Sequence, residues 1–112
     1  MIKETEIRIN NIVLWNGQMC TIKGISYFID CDNNKEGYII DLYKNGELIQ
    51  TPYLEDVDSV KLTSEILNKC DIELGGLLGD ILGNLLSDEE RSLHWLQNTY
   101  FQFKGEELKI NL

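Results

Sequence analysis

Residues 9–25, with the sequence Ile-Asn-Asn-Ile-Val-Leu-Trp-Asn-Gly-Gln-Met-Cys-Thr-Ile-Lys-Gly-Ile, decide the fold of this chain. Two apolar runs, residues 9–15 and 19–25, flank Asn16-Gly17. Asn-Gly is the dipeptide that best tolerates the two positive φ values of a type I′ turn. The stretch therefore predicts a β-hairpin with a two-residue turn.

A second hairpin of the same type is predicted where Asn45-Gly46 separates residues 38–43 from residues 47–49. Between the two hairpins, Gly24 permits a bulge because it has no side chain. The first half of the chain is therefore predicted to consist of strands joined by tight turns.

Four further features complete the layout of a small barrel. Residues 26–30 predict a further strand, and Pro52 then interrupts the ladder because it cannot donate a hydrogen bond. Residues 53–57 predict one helical turn, and residues 59–62 predict a closing strand. Five short strands with a turn of helix before the last one are typical of an SH3-like fold, so residues 1–62 predict an SH3-like small β-barrel.

Residues 63–112 predict two or three helices and a short C-terminal strand, which makes the predicted fold class α+β. Thr63 is the predicted N-cap of a short helix, and Ser87 begins a capping box for the last helix. Gly105 supplies the left-handed residue that ends this helix, and the apolar residues of 108–112 alternate as in a strand. Four apolar residues of the last helix share one stripe and predict its buried face: Leu93, Leu96, Tyr100 and Phe103.

Glycine recurs every four residues in the segment 74–86, at Gly75, Gly79 and Gly83. A helix there would carry these glycines on one face and leucines such as Leu82 on another, so that a second backbone could approach closely. Two interpretations stay open. The segment either docks within the fold of its own chain or joins two copies as a homodimer.

Three stretches resemble one group of proteins. Residues 93–108, which include Leu-His-Trp-Leu-Gln-Asn-Thr-Tyr-Phe and Gly-Glu-Glu-Leu, resemble the "HxLQNLYFALTGEEL" ending of small uncharacterised proteins encoded by gut Bacteroidetes and their phages and prophages. Residues 3–13 and 60–70 resemble the "KETELRIGNYV" start and the "IPLTEEILLKCGF" middle of that group. Asn10 replaces the usual Gly, and residues 71–86 replace a longer, aromatic-rich stretch. The resemblance implies a phage or mobile-element accessory protein and brings no catalytic or cofactor-binding residue with it.

The chain is acidic along its whole length, with a net charge of -9. Residues 1–61 carry 6 basic and 10 acidic side chains, and residues 62–112 carry 4 and 9. This charge repels nucleic-acid phosphates and anionic membranes and attracts basic partners. Neither a signal-peptide pattern at the start nor an apolar run long enough to span a bilayer is present, so a cytoplasmic location is predicted.

No complete metal-binding or catalytic motif occurs in the sequence. Cys20, Cys31 and Cys70 are odd in number and lack C-x-x-C spacing, which predicts reduced and mostly buried thiols. Residues 30–41 partly fit a calcium loop, but Lys35 stands where the sharp turn needs Gly, so an ordinary polar hairpin loop is favoured. We therefore assign no metal, no cofactor and no catalytic residue, and predict that the protein is not an enzyme.

Aromatic residues supply the predicted partner-binding positions. Trp95 lies opposite the apolar stripe of its helix, where it either meets a partner or is covered by the Gly and Leu segment. Trp15, Tyr43 and Tyr53 are predicted to form a weaker aromatic groove on the barrel for an extended peptide. His94, the only histidine, is interpreted as a structural or solvent-edge residue.

The sequence thus predicts a non-enzymatic protein-interaction module that binds a protein partner or a second copy of itself. The residues predicted to contact the partner are Trp95, Gly79, Gly83, Leu82, Trp15 and Tyr53. The alternative is a nucleic-acid-related role, either as a small-barrel binder or as an acidic mimic of DNA. The net charge counts against direct binding of nucleic acid.

Overall fold

The structure is a computed structural model. It describes residues 2–63, 65–66, 69–70 and 91–111. The chain divides into two compact units, Met1–Val60 and Lys61–Leu112. Within the described residues, no helix combines the length and the apolar character that crossing a membrane requires.

The first unit is built on one four-stranded antiparallel sheet with the order β1-β2-β3-β4. Its strands are β1 (Ile12–Trp15), β2 (Gln18–Asp30), β3 (Lys35–Lys44) and β4 (Glu47–Gln50). A 3-10 helix, Glu4–Glu6, precedes the sheet, and a second one, Leu54–Asp56, follows it. The second 3-10 helix confirms the helical turn predicted at residues 53–57.

Both predicted Asn-Gly turns are present. The φ angle is 51° at Asn16 and 78° at Gly17, and it is 53° at Asn45 and 80° at Gly46. All four values lie in the left-handed region that a type I′ turn requires. The pairing of β2 with β3 also shifts register just before Gly24, which confirms the predicted bulge.

One face of the sheet carries the core of the first unit. Val13 pairs with Cys20, and Ile22 pairs with Leu42, so each pair places its side chains on the same face. These four residues and Ile40 are buried. Four buried residues from outside the sheet complete the cluster: Ile2, Ile7, Leu54 and Val57.

The predicted SH3-like barrel is wrong, because the sheet is open. Residues 59–62 form no strand, and only Asp58 pairs with β1, through an isolated bridge to Leu14. In this bridge the Leu14 N to Asp58 O distance is 2.7 Å and the Asp58 N to Leu14 O distance is 2.8 Å. Lys61, the first residue of the second unit, bridges to Ser92 within that unit instead. The chain therefore leaves β1 after one residue pair, and among the described residues β1 and β4 are the two edges of an open sheet.

The prediction of two or three helices after the barrel is also corrected. Among the described residues of the second unit, α1 (Leu93–Lys104) is the one α-helix with defined bounds. Glu65 and Ile66 are helical as well, and Thr63 Oγ1 accepts a hydrogen bond from Ile66 N at 3.2 Å. This bond confirms Thr63 as an N-cap.

Helix α1 begins later than predicted. Its N-cap is Ser92, whose Oγ accepts a hydrogen bond from Trp95 N at 3.2 Å. The predicted cap Ser87 lies outside the described residues, and Ser92 itself is extended rather than helical. The helix ends as predicted at Gly105, which has a φ of 71°.

Three of the four residues predicted to face the core from α1 are buried. Leu93, Leu96 and Tyr100 are buried, whereas Phe103 is 53% exposed. Leu96 and Tyr100 form a small core together with Leu108. The apolar stripe therefore predicts the buried face correctly, except in the last turn of the helix.

The predicted C-terminal strand does not form among the described residues of 108–112. Ile110 makes an isolated antiparallel bridge with Cys70 instead. Asn111 N also donates a hydrogen bond to Lys69 O at 2.7 Å. One residue pair thus ties the end of the chain to the segment around Cys70.

Candidate protein-interaction surface

The hairpin of β2 and β3 extends beyond the rest of the sheet. β1 pairs with β2 only at residues 18–21, whereas β2 and β3 stay paired up to Asp30. Beyond Gly24, the two strands continue as a two-stranded ribbon, formed by residues 25–30 and 35–40. We refer to these residues as the ribbon.

Four large apolar side chains of the ribbon are exposed. The exposed fraction is 55% for Tyr27, 45% for Phe28, 61% for Ile29 and 37% for Tyr38. The rings of Tyr27 and Tyr38 meet edge to face, with their centroids 5.2 Å apart and an interplanar angle of 80°. We call these four residues the ribbon patch.

The ribbon patch extends over both faces of the ribbon. Tyr27 pairs with Tyr38, and side chains of a strand alternate between faces, so Tyr38 lies on the same face as the buried Ile40. Tyr27, Tyr38 and Ile29 therefore continue the core face of the sheet past the core itself. Phe28 lies on the opposite face.

Tyr53 packs against that opposite face at Gly37. A Cβ placed on Gly37 would lie 3.5 Å from Tyr53 Cδ1, so the missing side chain allows the ring to approach closely. Lys35 Nζ lies 4.2 Å from the centroid of the same ring and 2.6 Å from Glu55 Oε1. The hydrogen bond to Glu55 raises the pKa of Lys35. Tyr53 is thus held between the ribbon and a cation, and Lys35 is neutralised by its ion pair.

The loop that closes the ribbon is organised by Asp30. Its Oδ1 accepts hydrogen bonds from the backbone N of Asp32 at 3.2 Å and of Asn33 at 3.3 Å, and its Oδ2 accepts one from Asn33 Nδ2 at 2.8 Å. The bonds from Asn33 lower the pKa of Asp30, because they stabilise the carboxylate. Residues 31–34 of the partial calcium pattern form a polar hairpin loop between β2 and β3, and residues 35–41 belong to β3. Among the described residues, no three His, Cys, Asp or Glu side chains come together as a metal site requires.

Carboxylates border the apolar residues of the ribbon patch. The Tyr27 hydroxyl donates a hydrogen bond to the Glu36 carboxylate, which raises the pKa of Tyr27 by favouring its protonated form. Glu36 also lies directly opposite Ile29 in the ladder. With Asp30 and Asp32 in or beside the loop, three carboxylates lie next to the patch, and the nearby Lys35 is already paired.

The predicted aromatic groove does not form. Trp15 alternates with Val13 on the core face of the sheet and packs, half-buried, against the core. Tyr43 follows the core residue Leu42 and therefore faces the other way, and Tyr53 also lies on the face opposite the core. Because Trp15 is on one face of the sheet and the two tyrosines are on the other, they cannot line one binding groove.

Trp95 is less exposed than the helical wheel suggests. It is half-buried, packs against the core of the second unit, and carries Arg91 over its ring, with Arg91 Cζ 5.1 Å from the centroid. The adjacent His94 is buried, and its Nε2 lies 3.3 Å from Ser92 Oγ at the helix N-cap. The other predicted contact residues, Gly79, Leu82 and Gly83, lie outside the described residues, so their role stays a prediction.

The three cysteines occupy different environments. Cys20 is buried and Cys70 is half-buried, and burial raises the pKa of both thiols. Cys31 is exposed in the loop at the end of the ribbon. The prediction that the thiols are mostly buried therefore fails for Cys31.

Sequence reasoning assigned the ribbon patch to strands but not to a binding site. A signal for the patch is nevertheless present, because Tyr27, Phe28 and Ile29 are three consecutive large apolar residues. In a strand they must alternate between faces, so at least one of them cannot face the same core as the others. Such a run predicts either a strand buried on both sides or an exposed apolar surface.

Comparison with known proteins adds no relative. No protein-family model, curated protein or solved structure matches this chain. The resemblance to the phage-encoded group therefore rests on the three quoted stretches alone. The fold and the ribbon patch are the observations from which a function can be inferred.

Proposed function

We propose that this chain is a non-enzymatic protein-interaction module, an accessory protein of a phage or mobile element that binds its partner through the ribbon patch. The observation that carries the proposal is the exposure of Tyr27, Ile29 and Tyr38 side by side on one face of the ribbon, with Phe28 exposed on the other face. Scattered exposed apolar residues are ordinary, but a contiguous patch bordered by polar groups is typical of interaction sites. The resemblance to phage-encoded proteins supports the proposed origin.

The patch can supply part of the energy of a specific complex, and the rest must come from the surrounding interface. Fully burying a side chain of this size contributes about 1.5–3 kcal/mol. The four side chains are between 37% and 61% exposed, so covering them contributes about 1 kcal/mol each. Tyrosine and phenylalanine are also common anchor residues of protein interfaces, because they offer a large contact area at a low cost in side-chain entropy.

The charge around the patch favours a protein partner over nucleic acid. Glu36 is hydrogen-bonded to Tyr27, Asp30 and Asp32 lie in or beside the loop at the end of the ribbon, and Lys35 is paired with Glu55. Exposed aromatic rings can stack on bases, but binding a nucleic-acid strand also needs cations for its phosphates. The carboxylates repel those phosphates and attract a basic protein surface.

The proposal is tested by covalent capture followed by binding measurements with purified components. Benzoylphenylalanine placed at Tyr38 cross-links whatever covers the patch in bacterial cells, and the same amino acid placed at Leu48 of β4, which is also exposed, is the matched control. The captured protein is then purified and titrated with the wild type, with Phe28→Ser/Ile29→Ser, and with Leu48→Ser/Ile49→Ser.

We expect the change in the ribbon patch to weaken binding at least about thirtyfold, because it removes two apolar anchors, and the change in β4 to weaken it less than about threefold. Urea unfolding of each variant shows whether it is folded. A purified partner that binds the folded patch variant as tightly as the wild type would contradict the proposal.

A further inference from the structure

Within the described part of the chain, the outer edge of β2 in the ribbon has no strand partner. β1 stops pairing with β2 at Thr21, and two backbone bonds join Ile22 to Asn10 and Asn11. From Gly24 onward, no strand among the described residues pairs with β2 on the side away from β3. The ribbon therefore presents a run of strand backbone at this edge.

The register shows which backbone groups face that edge. Ile40 N donates to Pro52 O, on the side of β3 away from β2, at 3.0 Å. Backbone groups alternate in direction along an antiparallel strand, so Tyr38 also directs its N–H and C=O away from β2. Its partner Tyr27 then directs its own N–H and C=O to the open edge. By the same alternation, Ile25 and Ile29 also direct their backbone N–H and C=O groups to the outer edge of β2.

The sequence of this edge does nothing to prevent pairing. Residues 25–29 read Ile-Ser-Tyr-Phe-Ile and contain neither Lys nor Pro, the residues with which proteins commonly protect an exposed edge. Aromatic and β-branched side chains also favour the strand conformation. On the β3 side, by contrast, Tyr53 bridges to Ile39 and covers part of the edge.

From this geometry we infer that the outer edge of β2 at residues 25–30 binds an extended, lysine- or arginine-bearing segment of a protein partner, which adds to the ribbon as a further strand. The inference rests on the proposed function and specifies its mode of binding. Three residues, Ile25, Tyr27 and Ile29, present backbone donors and acceptors to the segment, and apolar side chains of the segment pack beside Tyr27 and Ile29 on the same face.

Charge identifies the segment as basic. Asp30, Asp32 and Glu36 lie at the end of the ribbon, where Lys35 is held by Glu55. A second copy of the chain would bring the same carboxylates and a further net charge of -9 to this edge. Like charges across a strand pair are unfavourable, so a basic partner fits the edge better than a second copy.

The test uses a matched pair of variants at Tyr27. Tyr27→Ala removes the side chain and keeps the outward N–H, whereas Tyr27→Pro removes the side chain and the N–H together. The N–H of Tyr27 faces away from β3, so Tyr27→Pro removes no bond between β2 and β3. The probe is the peptide acetyl-Lys-Val-Lys-Val-Lys-Val-Lys-amide, measured by calorimetry and by amide NMR of the full chain.

We expect the peptide to bind Tyr27→Pro about tenfold more weakly than Tyr27→Ala, the effect of losing one backbone hydrogen bond. The same peptide with N-methylated valines should bind the wild type at least about tenfold more weakly, which tests the mode of binding even if Tyr27→Pro fails to fold. A peptide with Glu in place of Lys should bind at least about tenfold more weakly because of the carboxylates.

Each contrary result overturns a defined part of the inference. Strand addition would be refuted if the lysine peptide bound Tyr27→Ala and Tyr27→Pro equally well and the N-methylated peptide bound the wild type with full affinity. The proposed function would survive this result if binding of the captured partner still depended on Phe28 and Ile29. No binding of the lysine peptide at millimolar concentration would refute a basic occupant. A concentration-dependent dimer that Tyr27→Pro abolishes would assign the edge to a second copy.

Discussion

Replacing Gly24 by alanine should destabilise the first unit because of one specific overlap. A Cβ on Gly24 would overlap Oδ2 of Asp41, and it would lie 3.0 Å from Asp41 Cγ and 3.3 Å from Asp41 Cβ. Asp41 is the residue opposite Gly24 in β3, and its Oδ1 accepts a hydrogen bond from Thr51 Oγ1 at 3.0 Å. The new methyl group therefore forces the carboxylate to rotate and to lose this bond.

The magnitude follows from three terms. Losing the hydrogen bond to Thr51 costs about 0.5–1.5 kcal/mol, and holding the Asp41 side chain off its preferred rotamer costs about the same. Alanine restricts the unfolded chain more than glycine does, which offsets about 0.4–1 kcal/mol. We therefore expect Gly24→Ala to lower the free energy of unfolding by about 1 kcal/mol.

Gly37→Ala is the matched control in the facing strand of the same hairpin. A Cβ at Gly37 would lie at an ordinary contact distance of 3.5 Å from Tyr53 Cδ1, so we expect this variant to be as stable as the wild type or slightly more stable. Urea unfolding of both variants measures the difference. In an Asp41→Ala background, the cost of Gly24→Ala should fall below about 0.5 kcal/mol, because the overlapping carboxylate is gone. An undiminished cost in that background, or an equal cost for Gly37→Ala, would show that the overlap is not the cause.

Three further predictions concern other parts of the molecule. The folded state holds the Tyr27 proton more tightly than the unfolded state does, so the free energy of unfolding should fall as the pH rises from the ordinary tyrosine pKa of 10.0 through the raised pKa. Glu36→Gln should lower the pKa of Tyr27, measured by carbon-13 tyrosine NMR, and an unchanged pKa would contradict the hydrogen bond. Cys31 should react with iodoacetamide at least about tenfold faster than Cys20, because Cys31 is exposed whereas burial shields the Cys20 thiol and raises its pKa. Mass spectrometry measures both rates, and similar rates would contradict the placement of the two thiols. Leu96→Ala should lower the free energy of unfolding of the second unit by about 2–4 kcal/mol, since this side chain is fully buried, and a loss below about 1 kcal/mol in urea unfolding would contradict the small core.

The features that the sequence predicts correctly depend on neighbouring residues. Asn16-Gly17 forms its turn because the two residues tolerate positive φ, and Gly105 ends α1 for the same reason. The bulge at Gly24 and the N-cap at Thr63 are also local, because each depends on a side chain, or on its absence, within a few residues. Such features can be predicted without knowing what else packs against them.

The features that the sequence predicts wrongly depend on distant residues. Residues 59–62 have the alternation of a strand, but a strand needs a partner, and the chain leaves β1 after Asp58 pairs with Leu14. Lys61 bridges to Ser92 instead, in a part of the sequence far from the first sheet. Local sequence cannot choose between such partners, because the choice depends on the packing of the whole unit.

The sequence alone determined the turns, the strands beside them, the buried face of α1 and the acidity of the chain, because each follows from the properties of residues close together along the chain. Only the tertiary structure decided that the sheet stays open and that the ribbon extends past its core. It also decided that Trp15 and Tyr53 lie on opposite faces of the sheet, because the pairing register between strands determines the face on which each side chain lies. The exposure of Tyr27, Phe28 and Ile29 follows from the same cause, since an apolar strand is buried only where another part of the fold covers it.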